Sequence, residues 1–466
     1  MKSMYNEKST FIDSICKTIS LQSESGISED RVVEMLEQAF SEYAATVIPQ
    51  PGSSGSEKEK SQSLPKKLLL VPPDLTRMHS YAGKITELLY RQLKDTCQID
   101  IMPALGTHAP MDEQELREMF GSEIPLSCFI PHRWRTDTVL LGTIPAEFVE
   151  DVSEGLMKEP IPVEINQRLL DSSYDLILSI GQVVPHEVVG MANYTKNMLV
   201  GCGGVDIINK SHMLGAVCGM EKAMGKDHSP VRKIFDYAQE HFLQSLPIRY
   251  ILTVTTVQQP QEVNQEIKHN PSSRVRLHSF SIGSSRDFFE QAVSMSQKMN
   301  ITYLEEQPSK VVVFVNEREF KSTWLANKAI YRTRMAIADG GELLILAPGV
   351  AKFGEDSTID TLIRKYGYTG RDKILQLFNE NKDLQLNPSA AAHLIHGSSE
   401  GRFSVTYAVR HLKQKEVEAV NFHFADYDDM LAKYHPDSLH DGWNLLPCGE
   451  KIYYISNPAV GLWSVK

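Results

Sequence analysis

Three short apolar runs, each ending abruptly in a loop rich in Pro, Gly, His or Asp, constrain this chain more than any other feature. Lys67-Leu-Leu-Leu-Val71 leads into Pro72-Pro-Asp-Leu-Thr-Arg77, Gln98-Ile-Asp-Ile-Met-Pro103 into Ala104-Leu-Gly-Thr-His108, and Tyr174-Asp-Leu-Ile-Leu-Ser-Ile180 into Gly181-Gln-Val-Val-Pro-His186. Short apolar runs bounded by turn residues read as buried strands, and amphipathic helical stretches lie between several of them. Strand, loop and helix in alternation is the pattern of a mainly parallel sheet covered by helices. Ligands of such sheets sit outside the carboxyl ends of the strands, so the three loops are expected to meet on one edge.

The alternation resumes in Lys310-Val-Val-Val-Phe-Val-Asn316 and Glu342-Leu-Leu-Ile-Leu-Ala-Pro348, with helical patterns from Thr323 to Ile337 and from Ser357 to Lys365. The fold expected is therefore α/β, two domains with mainly parallel sheets, and an active site in the cleft between them. Residues 1–65 read as an N-terminal helical extension and flexible loop: Ile12, Ile15 and Ile19, then Val32, Val33, Met35, Leu36 and Phe40, predict two short helices, and Gln50 to Leu64 is too polar to bury a core. Residues 66–284 form the first α/β domain, 285–300 an interdomain helix or hinge, and 301–466 the second domain. A chain of 466 residues accommodates this division.

Charge and cysteine usage narrow the function classes. Lys and Arg total 48 against 59 Asp and Glu, a formal net charge of -11, which supplies no basic surface for nucleic acid. Cys16, Cys97, Cys128, Cys202, Cys218 and Cys448 are scattered without a Cys-x-x-Cys pair, as expected of reduced thiols. No apolar run approaches the ~20 residues that cross a bilayer. A cytoplasmic protein with no membrane or nucleic-acid partner is expected.

Three histidines stand beside Gly or Pro in loops or helix starts: His108, His186 and His212. Imidazole moves protons near neutral pH and ligates metals, although most of the 15 histidines are expected to serve structural hydrogen bonds. Asp74, Thr76 and Arg77 place a carboxylate, a hydroxyl and a guanidinium at a strand end, where Arg can grip a carboxylate with two parallel N–H bonds; a helix cap with a surface Arg is the plain alternative. Lys196 precedes the Gly201-Cys-Gly-Gly204 turn, whose backbone can approach an anion closely. Gly219 to Lys226 has the wrong spacing for a P-loop, and there is no Gly-x-Gly-x-x-Gly after a strand, no Gly-x-Ser-x-Gly and no His-Glu-x-x-His. His393 and His396, three apart on a predicted helix, read as packing or surface residues.

These spaced pieces resemble the nickel-pincer lactate racemase family. Asp74-Leu-Thr-Arg77 is similar to its Asp-x-Thr-Arg segment and Leu105-Gly-Thr-His108 to its Gly-Thr-His segment; His186, Lys196 and His212 follow in its order and spacing. The resemblance spans Lys67 to the Ser285–Lys298 helix and, more weakly, the second domain. It implies a racemase or epimerase of a 2-hydroxy acid, with nickel held in a nickel-pincer nucleotide attached to Lys196 and His212 as the protein's metal ligand. It further implies reversible hydride transfer with His108 and His186 as acid and base, Arg77 and Gln291 at the substrate, and Asp74 and Thr76 near the cofactor. The partners implied are the substrate and the enzymes that make the cofactor. Ser294 stands where the family's racemase has a Lys near the substrate, which points to a different 2-hydroxy acid. Two alternatives stay open: a zinc-type hydrolase using His108, His186 and His212, and a hydroxy-acid-binding protein without turnover.

Overall fold

In a computed structural model describing residues 18–46, 64–258, 274–459 and 461–466, the apolar runs are strands of two six-stranded sheets. The first contains β1 (Ile19–Gln22), β2 (Lys67–Val71), β3 (Gln98–Ile101), β4 (Leu176–Gln182), β5 (Ile248–Val257) and β6 (Val275–Gly283), in the order β1-β6-β5-β4-β2-β3. β5, β4, β2 and β3 are parallel neighbours, whereas β6 and β1 add on antiparallel. Leu68, Leu69, Leu70 and Val71 are fully buried. Both faces of β2 are covered, so its sequence shows a continuous apolar run rather than alternation.

The second sheet contains β7 (Lys310–Phe314), β8 (Glu342–Leu346), β9 (Ser404–Val409), β10 (His423–Asp426), β11 (Gly442–Leu445) and β12 (Lys451–Ile455), in the order β10-β9-β8-β7-β12-β11. Its strands are parallel except for β11. The α/β architecture with mainly parallel sheets expected from the sequence is the one observed, in two sheet-containing regions.

Two local readings differ. The expected extension is part of the first domain: β1 pairs with β6 from Ile19–Ile282 to Gln22–Ser279, and helix α1 (Glu29–Thr46) buries Val32, Met35, Leu36 and Phe40 with Leu68, Leu70 and Ile85. Ile19 thus belongs to a strand, because an edge of the sheet was available to it. Ile12, Ile15 and the loop from Gln50 to Ser63 lie outside the described residues. The pattern from Thr323 to Ile337 yields two short helices, Thr323–Ala326 and Lys328–Thr333, separated at Asn327, whose side-chain oxygen accepts from the Tyr407 hydroxyl at 2.7 Å.

The domains share a core. Ala216, Met220 and Met224 of the first domain pack in the apolar cluster built around Val311, Val313, Leu343 and Ile345 of the second. Arg371 donates to the Val217 carbonyl at 2.7 Å, and Arg334 pairs with Glu221 at 2.7 Å. Among the described residues no helix is long and apolar enough to cross a membrane.

Candidate active site

The parallel register brings the loops after β2, β3 and β4 to one edge, where they line a cleft of about 1040 Å3 including its open mouth. Asp74, Thr76, Arg77, His108, His186, Lys196 and His212 all line it, and Trp324, Leu325 and Lys328 of the second domain close one side. Residues separated by more than a hundred positions meet because each follows a strand carboxyl end.

Asp74 caps the short helix Leu75–Ser80. Its Oδ1 accepts from the Thr76 amide at 3.2 Å and the Thr76 hydroxyl at 2.6 Å, and its Oδ2 lies 2.5 Å from His108 Nδ1. Burial raises the Asp74 pKa, but His108, Thr76 and Arg77 overcome that and hold the carboxyl at about 2. The ionised carboxylate takes the Nδ1–H of His108 and leaves the His108 Nε2 lone pair free, the arrangement of an oriented base. Thr253 and Thr255 fix the helix by donating to the Ser80 and His79 carbonyls at 2.7 and 2.6 Å. Gly106, with φ +57, makes the turn that presents Thr107 and His108, and its amide donates to the Gly201 carbonyl at 2.9 Å.

His186 is held differently. It is buried, and its Nδ1 accepts from the Val188 amide at 3.1 Å, which leaves Nε2 as the protonated nitrogen. Burial lowers its pKa well below the ordinary value; Glu187 opposes this, while Lys196, Arg77 and Arg332 reinforce it. His186 is a neutral Nε2–H donor.

Lys196 stands at the start of a π-helical turn, Asn197–Gly201. Such turns are rare and recur at functional sites. Asn197 pins it to two strands, donating to the Val71 carbonyl at 3.1 Å and the Ser179 hydroxyl at 3.0 Å. The preceding Asn193 and Tyr194 have φ of 67 and 57, a conformation unfavourable for residues with a side chain. Fully buried Arg232 secures that segment by donating to Thr195 Oγ1 at 2.7 Å and to the Met191 and Asn193 carbonyls at 2.7 and 3.2 Å. Burial and nearby Arg77 lower the Lys196 amine to about 8. At neutral pH a useful fraction of it is the free, nucleophilic amine.

His212 lies in the helix Val205–Cys218, where its Nδ1–H donates to the Ile208 carbonyl at 2.6 Å. Burial lowers its pKa. A neutral imidazole with Nδ1 occupied offers Nε2 to a metal, with the supporting hydrogen bond that metal-binding histidines characteristically carry. The residues therefore fit the group the sequence resemblance implies: an activated amine at 196 for covalent attachment, one preset imidazole at 212, and close-packed glycines between them. A Cβ on Gly201 would lie 2.7 Å from the Ala104 Cβ, so only glycine lets the Lys196 turn rest on the His108 loop.

Gln291 stands apart. The helix Arg286–Asn300 buries Phe288, Phe289, Ala292, Val293 and Met295, which turns Gln291 and Ser294 outward. Gln291 is exposed, its carbonyl accepts from the Gln22 side chain at 3.2 Å, and it is absent from the cleft lining. His108, His186 and His212 share the cleft, but among the described residues their ligand atoms do not all three lie within 4.8 Å of one another. The three-histidine zinc site weighed from sequence is not formed. His393 is a buried packing residue, its Nδ1 and Nε2 2.9 Å from the Tyr331 and Tyr368 hydroxyls. Sequence reasoning missed Glu187, Trp324 and Lys328; Glu187 adjoins a recognised histidine, but the other two sit in no motif.

Residues 19–225 match the lactate racemase N-terminal domain family. A crystal structure of a Thermotoga maritima protein, a structural-genomics target, aligns with TM-score 0.75 and 22% identity over 96% of this chain and 100% of that chain. The lactate racemase apoprotein from Thermoanaerobacterium thermosaccharolyticum aligns with TM-score 0.62 and 16% identity over 86% of this chain and 87% of that chain. At these identities the structural likeness establishes the fold. No curated protein matches the chain.

Proposed function

We propose, from the match of residues 19–225 to the lactate racemase N-terminal domain family and the cleft described above, a racemase or epimerase that inverts the carbinol carbon of a 2-hydroxy acid. The observation that carries this reading is one cleft holding an oriented base, a neutral donor, an activated lysine and a metal-ready histidine at the strand ends.

Lys196 would hold the nickel-pincer nucleotide and His212 would ligate its nickel. When bound, that group supplies a hydride acceptor, which avoids forming a carbanion beside a carboxylate. The chain's own residues then handle binding and protons. Arg77, with no ion-pair partner among the described residues, takes the substrate carboxylate in a two-pronged hydrogen bond. His108 accepts the hydroxyl proton at Nε2 while Asp74 stabilises the resulting imidazolium. His186 directs its Nε2–H at the oxygen that becomes a carbonyl, polarising it as a neutral imidazole can. For His186 to act as a base in the opposite sense, Nδ1 must give up the Val188 amide. The walls contributed by Trp324 and Leu325 exclude water from the exchange.

The test is production of the protein together with the cofactor-making enzymes, followed by intact-mass analysis, nickel analysis and a stereochemical screen of 2-hydroxy acids. A covalent adduct on Lys196, retained nickel, and inversion with the carbon-bound hydrogen kept are expected. An unmodified chain without nickel, or extensive solvent deuterium at the inverted carbon, overturns the reading. Tight binding without inversion by loaded protein assigns the chain to ligand binding instead.

A further inference from the structure

The chemistry proposed above leaves two buried cations of the second domain without a task. Lys328 opens the helix Lys328–Thr333, and Arg332 follows four residues later on the same face. Lys328 is 7% exposed and Arg332 fully buried. Lys328 lines the cleft with His186, Glu187 and Lys196. Among the described residues its ammonium has no hydrogen bond or close ion pair; it lies 5.6 Å from the Phe320 ring and feels the carboxylates of Glu319 and Glu187 from further off. All three nitrogens of the Arg332 guanidinium lack a hydrogen-bond partner. Buried unpaired charge is strongly unfavourable, and native proteins keep it where a ligand completes the pairing.

Counting the groups around the cleft shows which ligand is missing. Asp74 is engaged by His108 and Thr76, and Glu319 lies 3.8 Å from His79; Glu187, whose Oε2 makes no hydrogen bond, is the carboxylate of the cleft lining nearest in sequence to His186. Glu319 and Glu187 both act on Lys328, and Glu187 acts on Arg332, yet among the described residues neither carboxylate reaches either cation with a hydrogen bond or a close ion pair, so both cations stay open to a ligand. Arg77 is assigned to the substrate carboxylate and Lys196 to its covalent bond. The cation that the resemblance places on the interdomain helix is replaced by Ser294, which is exposed and donates to the Glu290 carbonyl at 3.0 Å. We propose that Lys328, with Arg332 behind it, is a second oxyanion site lent to the cleft by the C-terminal domain. The substrate is then a 2-hydroxy acid carrying a second carboxylate. This inference rests on the racemase reading for the identity of the first carboxylate and the hydroxyl.

The test is titration calorimetry of racemic malate and racemic lactate, racemic so that no net inversion contributes heat, on cofactor-free and cofactor-loaded protein. Wild type is expected to bind malate about tenfold or more tightly than lactate, the discrimination of one hydrogen bond to a charged group. Lys328→Met is expected to erase that preference with lactate binding unchanged, and Lys328→Arg to keep most of it. Because Lys328→Met removes an unpaired buried charge, its melting temperature should not fall below wild type, and Lys328→Arg serves as the folded control if it does. Equal or undetectable malate binding by wild type, or a preference that survives in Lys328→Met, overturns the proposal. Weakened binding of inorganic phosphate in Lys328→Met with the malate preference intact assigns Lys328 to a phosphoryl group and also overturns it. Failure of the racemase reading looks different: loaded enzyme then inverts no 2-hydroxy acid, whatever the calorimetry shows.

Discussion

His108 and His186 face the same cleft from the loops after β3 and β4, the two strands that flank β2, yet the structure sets them in opposite states. His108 gives its Nδ1–H to a carboxylate and keeps an open Nε2; His186 takes a backbone N–H on Nδ1 and keeps a proton on Nε2. Their surroundings differ in the same sense. Asp74, an ionised carboxylate, sits against His108, whereas burial and the cations Lys196, Arg77 and Arg332 disfavour imidazolium at His186. A pair of histidines in one site is thus not automatically a pair of equivalent bases. The partner of Nδ1 decides which proton each can move.

The largest test of this contrast is Asp74→Asn. An amide cannot enforce the Nδ1–H tautomer, so inversion should fall on the order of 10^3-fold or more, by analogy with tautomer reversal in other histidine–aspartate pairs. Circular dichroism should stay unchanged, and His186 should keep its Nε2–H signature in nitrogen-15 spectra. Equal loss at both histidines would show that they act as one unit. A smaller effect, about 10^2-fold, concerns the cations that hold His186 neutral. With its amine at about 8, Lys196 at pH 7 exposes far more free amine than an ordinary lysine near 10.5. Its acylation, followed by peptide mass analysis, should rise tenfold per pH unit below 8 and level off above it. A profile still rising at pH 10 would remove Lys196 from the buried cationic cluster.

Stability separates His186 from Asp74 by pH window. His186 has a folded pKa below its unfolded value, so the unfolded chain binds the extra proton, and stability present above about pH 6.5 is lost as pH falls. Each such histidine contributes a slope of up to about 1.4 kcal/mol per pH unit in that window. Asp74, held at about 2, loses its contribution only as pH falls from about 4 toward 2. Denaturant melts between pH 7 and 5 should therefore flatten in His186→Gln, while Asp74→Asn should alter only the acid limb. His393, His396 and His132 are also buried with lowered values and add their own share, so the change expected from one substitution is a fraction of the whole slope.

What could be read from sequence follows from which forces are local. The runs at 67–71, 98–101 and 176–182 are visible because strands buried on both faces are continuously apolar, and the loops after them carry the chemistry. Asp74, Arg77, His108, His186, Lys196 and His212 were legible as motifs and spacings. Gln291 was not placed, because the buried face of its helix is fixed by packing of Phe288, Phe289 and Val293, and a shift of one position moves a residue by about 100° around the axis. Ile19 looked helical because an edge strand that pairs with a segment more than 250 residues away leaves no local signature. Lys328 was invisible for the same reason: its importance comes from a second domain's helix meeting the cleft.

The smallest effect expected from the unequal histidines is also the most exacting. Enantiomers are equal in free energy in water, so a racemase must have the same kcat/KM in both directions whatever its site looks like. The asymmetry can therefore appear only in kcat and KM taken separately. The enantiomer whose hydroxyl faces His108 meets a base ready at Nε2; the other requires His186 to release the Val188 amide at 3.1 Å before it can accept a proton. The cost of releasing one hydrogen bond, about 1 kcal/mol, predicts kcat values differing by about fivefold with compensating KM. Polarimetry from each pure enantiomer measures both. Equal kcat values would mean that the Val188 bond is already broken when substrate is bound, and that ligand binding equalises two histidines the free protein holds apart.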